Sequence, residues 1–146
     1  PLCRRQRQMC IRDRFINENA NMGDLKGTLI EFCKQFFNVQ NLKVRFRPSY
    51  FPFTEPSAEM DIAYEIVNNK IQLGQGDRWL EILGCGMVNP IVLENCNVDT
   101  NIYQGFAFGV GLDRITMLKY GLTDIRSFFS GNLNWIASNG FTIGDF

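Results

Sequence analysis

The sequence contains no histidine. That removes the commonest general base, any Cys-His nucleophilic pair and the zinc-finger class. Its five cysteines (Cys3, Cys10, Cys33, Cys85 and Cys96) are odd in number and include no CxxC spacing, so they read as buried free thiols. No apolar run approaches the length needed to span a bilayer. No apolar stretch follows the basic start as a signal peptide requires, so the expected location is the cytoplasm. There is no internal repeat and no low-complexity tract. Whatever chemistry the chain performs must come from carboxylates, arginines, backbone groups or a metal.

What is present is a core former. With 45% apolar residues and 13 phenylalanines in 146 positions, the chain can bury enough surface for one modest domain or part of a larger one. The net charge of zero hides an asymmetry: residues 1–14, PLCRRQRQMCIRDR, carry +4 and the remainder carries −4. A basic arm of this kind can grip nucleic acid. It also lacks apolar periodicity and turn chemistry, and it resembles translated sequencing-adapter sequence. We therefore read 1–14 as a non-native or artefactual segment, outside the fold, and 15–146 as the domain proper.

Periodicity divides the rest. Leu25, Leu29, Phe32, Cys33 and Phe36 form a helical stripe over 24–37, with Asn21 or Asp24 as cap and an end near Asn38. Leu42, Val44 and Phe46 alternate with Lys43, Arg45 and Arg47, a half-buried strand. Met60, Ile62, Tyr64 and Ile66 alternate with Glu59, Asp61, Ala63 and Glu65. The polar segment 68–77 reads as a hairpin connection whose partner strand is 78–88, and Pro90 starts a short helix over 90–96. A helix over 112–120 is stopped by Gly121, and short helices follow at 123–129 and 132–138. Strands in sequence followed by helices predict an α+β fold with a mostly antiparallel sheet flanked by helices.

Four features stand out chemically. In Phe51-Pro52-Phe53 the proline extends the backbone and sends both rings to one side, where they can pack a core or hold a third ring edge-to-face. Residues 105–109 put Gly105, Ala107 and Gly109 on one face and Phe106 and Phe108 on the other, so one side of the strand is nearly bare. Glu81 shares a strand face with Trp79 and Leu83, and an acid among apolar neighbours needs a cation or a metal. Arg114 sits in the first turn of a helix, an end that favours anions; a bridging anionic ligand, or an ion pair with Asp113 or Glu81, would account for it. A dinucleotide-binding reading of GVGLDR fails, because the motif needs glycine at position 114 and a surrounding βαβ unit.

Three ordered stretches, KVRFRPSYFPFTEPSAEMDI (43–62), WLEILGCGMVNP (79–90) and GFAFGVGLDRITMLKYGLTDIRSFF (105–129), together with DLKGTLIEFCKQFF (24–37), resemble the alpha subunit of bacterial-type phenylalanine–tRNA ligases, which are class II aminoacyl-tRNA synthetases. One departure is Asn89 in MVNP, where that family often has VHP. The resemblance implies the C-terminal part of a catalytic core, hence a fragment whose upstream motifs lie elsewhere. It implies ATP-dependent activation of L-phenylalanine and transfer to tRNA(Phe), with Mg²⁺ as cofactor, within an α2β2 assembly with a beta subunit. By the same resemblance Phe51 and Phe53 embrace the substrate ring, with Ala107 and Gly109 as the pocket floor. Arg114 contacts the ATP phosphates and stacks on adenine, Glu81 holds ATP-bound magnesium, and Glu55 is a magnesium ligand shared with the beta subunit. The alternative is a non-catalytic synthetase-like module for binding or assembly.

Overall fold

A computed structural model describes residues 10–138 apart from 69 and 123. Among the described residues six strands and four α-helices follow one another: β1 (Cys10–Asn17), α1 (Met22–Phe37), β2 (Val44–Phe51), β3 (Thr54–Val67), β4 (Lys70–Leu73), β5 (Arg78–Val88), α2 (Pro90–Glu94), β6 (Gln104–Gly111), α3 (Leu112–Lys119) and α4 (Leu133–Ser138). A 3-10 stretch, Ile125–Phe129, lies between the last two of these helices. The predicted helix starting at 123 therefore begins later, behind an Asp124 side chain that accepts from the Arg126 N–H; residue 123 itself lies outside the described residues.

The sheet runs β1-β6-β5-β3-β2, with β4 pairing to β3, and every pairing among the described strands is antiparallel. This is the expected α+β architecture. One sheet face carries Met60, Ile62, Leu83, Cys85, Phe106 and Val110, and α1 and α3 cover it. Helix α1 seats Leu25, Leu29 and Cys33 there, successive turns of one stripe and all essentially inaccessible. Its start is fixed by a reciprocal capping box: Asn21 accepts from the Gly23 and Asp24 N–H groups, and Asp24 accepts from the Asn21 N–H. Its end is fixed by Asn38 in the left-handed region (φ 55°), where asparagine is tolerated better than most residues.

Two sequence expectations change. Residues 10–14, set aside with the basic segment, form the first part of β1, which pairs with β6 from Cys10 opposite Gly111 to Asn17 opposite Gln104. Strand pairing is made by backbone groups and needs no apolar periodicity, and β1 is exposed along its whole length. Residues 1–9 lie outside the described residues. The second change is a β-bulge in β5. Met60 pairs with Leu83 while the next residue, Asp61, pairs with Glu81, so Ile82 is the extra residue. Leu83 therefore turns into the core with Met60, and Glu81 turns to the opposite face with Asp61. They do not share a face, contrary to strict alternation.

Candidate active site

The face turned away from α1 is built from what the bulge and the alternation leave there. Gly84 pairs with Glu59 on one side and Gly109 on the other, and Gly86 pairs with Ser57 and Ala107. These positions make a low strip across β5 and β6. Charge borders it, because Arg45 pairs with Asp61 and Arg47 with Glu59 across β2 and β3.

A cavity of about 470 Å³ opens on this strip. Phe51, Phe53, Glu81, Ala107 and Gly109 all line it, five of the seven predicted site residues. Arg114 is tied to it through Glu81, to which its Nη1 donates twice, to the carboxylate at 2.9 Å and to the backbone carbonyl at 3.0 Å. The ion-pair alternative for both residues is thus the observed contact. Both side chains are more than a third exposed, so the pair adds little stability. Glu55 is exposed and is not among the lining residues. A larger cavity, about 560 Å³, lies between β1 and the start of α1 and receives none of the predicted residues, so size does not identify the site.

The two aromatic rings do not clasp a guest between them. Their centroids are 6.0 Å apart and their planes 13° apart, so they stack on each other. A ring inserted between them would need about 7 Å, two contact distances of about 3.5 Å. They form one aromatic wall instead. The turn carrying them is pinned: the Asn89 N–H donates to the Phe53 carbonyl at 3.1 Å, and the Ser57 hydroxyl donates to the Thr54 carbonyl at 2.6 Å. Asn89 also caps α2, its side-chain oxygen accepting from the Ile91 N–H at 3.0 Å. The MVNP departure is therefore a working helix cap.

Sequence reasoning missed Asp61. Its residue surface is 1% exposed, and its carboxylate accepts from Arg45 Nε at 2.7 Å, Arg47 Nε at 2.6 Å and Arg47 Nη2 at 2.9 Å. Burial pushes this carboxyl's pKa up, but the hydrogen bonds and charges of the two guanidiniums outweigh it and hold it below the ordinary range. Arg47 continues to Glu59 at 3.0 Å, which also accepts from Ser49 at 2.9 Å, and the Arg45 guanidinium stacks 4.3 Å over Trp79. The available signal was the matched two-residue spacing of Arg45/Arg47 and Glu59/Asp61, which becomes a network only once the β2–β3 register is known.

The family model for the class II core domain of tRNA synthetases, type F, matches residues 10–139. The chain belongs to this family. Its match starts at residue 10, inside the basic segment, in line with where β1 begins. Curated relatives include the phenylalanine–tRNA ligase alpha subunits of Afipia carboxidovorans, 56% identical over 126 residues, and Methylobacterium radiotolerans, 58% identical over the same length; each match covers 86% of this chain and 35% of the relative. A third, from Methylocella silvestris, is 52% identical over 131 residues, covering 90% of this chain and 36% of the relative. The chain thus spans about 35% of the length of the curated relatives it matches.

Among the described residues no group of three or more metal-ligating side chains converges, so an all-protein metal cage is not formed. A nucleotide-bound Mg²⁺ is less demanding, since it takes one or two carboxylates and fills its sphere with phosphate oxygens and water. Glu81, in the cavity wall, fits that donor set. No helix among the described residues is long and apolar enough to cross a membrane.

Proposed function

We propose that this chain, from residue 10 onward, is the C-terminal portion of the catalytic core of a phenylalanine–tRNA ligase alpha subunit. Its parent protein activates L-phenylalanine with ATP and transfers the acyl group to tRNA(Phe), in a cytoplasmic α2β2 assembly with a beta subunit. The observation that carries this reading is the cavity itself: a stacked aromatic wall, Phe51 and Phe53, beside a floor of Ala107 and Gly109. An apolar side chain lies against that wall, and the floor is low enough for a flat ligand to approach the backbone.

Adenylate formation is attack of an already ionised carboxylate on the α-phosphate with loss of pyrophosphate. No side chain has to remove a proton, which suits a chain without histidine. Positioning and charge neutralisation dominate such a reaction. Arg114 supplies the fixed positive charge at the phosphate end; its bonds to Glu81 use Nη1, leaving the rest of the planar fork for an anion. Mg²⁺, when bound, neutralises phosphate charge, with Glu81 as the ligand in the cavity and Glu55 as the second carboxylate, offered toward the beta subunit.

The test is phenylalanine-dependent ATP–pyrophosphate exchange by the full alpha subunit containing this chain, assembled with its beta subunit. Exchange that requires phenylalanine is expected. A folded assembly without exchange would leave binding or assembly as the role of this domain.

A further inference from the structure

The bare strip on the open face is not uniform. A Cβ placed on Gly109 would meet nothing nearer than 3.8 Å, ordinary contact. A Cβ placed on Gly84 would fall 2.7 Å from Cζ and 3.0 Å from Cε2 of Phe51. Gly109 leaves room for a ligand, whereas the space over Gly84 is already filled by the ring. Backbone conformation does not demand glycine there, since Gly84 is not among the positive-φ residues. The demand is for space alone.

The atoms that would have to yield belong to the far end of a side chain, not to the sheet. A methyl group at position 84 would therefore move the Phe51 ring by about 1 Å to restore a contact of about 3.5–4.0 Å. The strand lies beneath the ring, and Phe53 stacks against it. The shift is away from β5 and into the cavity that both rings line.

We propose that Gly84 is a positioning residue that seats the Phe51 ring against β5 and so sets the width of the space for an aromatic amino-acid side chain. This rests on the reading that the Phe51–Phe53 wall receives phenylalanine. The seat is made by absence of a side chain, which is why neither charge nor motif marks it.

The experiment measures pyrophosphate exchange by the full alpha–beta assembly carrying Gly84→Ala, Phe51→Leu or both. Displacements of about 1 Å in a reactive site can cost up to about 100-fold. The expected result for Gly84→Ala is a phenylalanine KM raised at least about 10-fold, with the ATP KM within about 2-fold of the parent. On the Phe51→Leu background the same substitution should cost less than about 2-fold, because the shorter side chain no longer reaches position 84. If Gly84→Ala fails to fold, the double variant should restore folding, since the clash is with that ring. Equal costs on both backgrounds, or parallel rises in both KM values, would overturn the inference. A phenylalanine KM moved by Phe51→Leu but untouched by Gly84→Ala overturns it while sparing the site reading; one unmoved by Phe51→Leu overturns both.

Discussion

The buried carboxylate of Asp61 gives the sharpest stability prediction. Asp61→Asn keeps the volume of the side chain but removes its charge. Three charge-assisted hydrogen bonds at 2.6–2.9 Å converge on that carboxylate. The amide can still accept at its oxygen, but its NH₂ then faces guanidinium donors. Bonds to charged groups contribute about 1.5–3 kcal/mol each when buried. The sum overstates the loss here, because both arginine side chains are more than 40% exposed and can turn to water. A net cost of about 2 kcal/mol follows for the aspartate substitution. With a urea slope of about 2 kcal/mol/M for a domain of this size, the midpoint should fall by about 1 M at pH 7.

The pH dependence supplies the check. The folded-state pKa of Asp61 lies below its ordinary value, so the stability it contributes is fully present above the unfolded value, about 3.9, and is lost as pH falls through the lower folded one. Asp61→Asn has no such carboxyl to lose. The gap between the two urea midpoints should hold from pH 7 to about 5 and narrow below about pH 4. Equal midpoints at pH 7, or a gap that widens toward acid, would refute the reasoning.

Three further outcomes are expected. Ala107→Gly in the assembled enzyme should deepen the pocket floor and raise relative kcat/KM for para-chlorophenylalanine by about 10–100-fold, the range for a methylene-sized change; unchanged discrimination would show that Ala107 is not the floor. Arg114→Ala should lower kcat/KM for ATP by about 10–100-fold while moving the urea midpoint little, because its pair with Glu81 is exposed; wild-type kinetics would remove Arg114 from the site. In the native chain at pH 8, iodoacetamide should modify exposed Cys96 well before Cys33 and Cys85, whose thiols burial pushes up to about 12 and about 11; peptide mass spectrometry reads the order, and equal rates would mean that the core opens.

Much of the architecture is written locally. The stripe of α1, its Asn21 cap, the limits of β5 and the Gly121 stop after α3 (φ 67°) each depend on neighbouring residues, so periodicity and turn chemistry find them. What escapes is non-local. The bulge at Ile82 is invisible to strict alternation, which carried Leu83 to the wrong face. The Asp61 cluster needs the β2–β3 register, since each of its residues alone reads as a solvated strand face. Residues 10–14 enter the sheet through backbone groups that composition does not register. The Phe51-Pro52-Phe53 spacing correctly sends both rings to one cavity, but only the seat at Gly84 and the pinned turn after Phe53 make them stack as one wall.

The two acids facing each other across β3 and β5 also explain which arginine is free to serve a ligand. Asp61 and Glu81 are register partners, yet their surroundings differ. Asp61 is inaccessible and holds Arg45 and Arg47, so drawing either guanidinium toward a substrate would leave a buried carboxylate short of partners. Glu81 is 40% exposed and, among the described residues, its hydrogen-bonded ion pair is with Arg114. On the proposed function, a phosphate competing for Arg114 would displace an exposed pair worth about 0–1 kcal/mol, and the released carboxylate would return to water or to a cation. Arg114 lies at a helix start where the peptide dipoles favour anions, so the same anion is drawn by both. The bulge makes this possible: were Ile82 paired in regular alternation, Glu81 would point into the core with Leu83, and Arg114 would have no carboxylate to wait on.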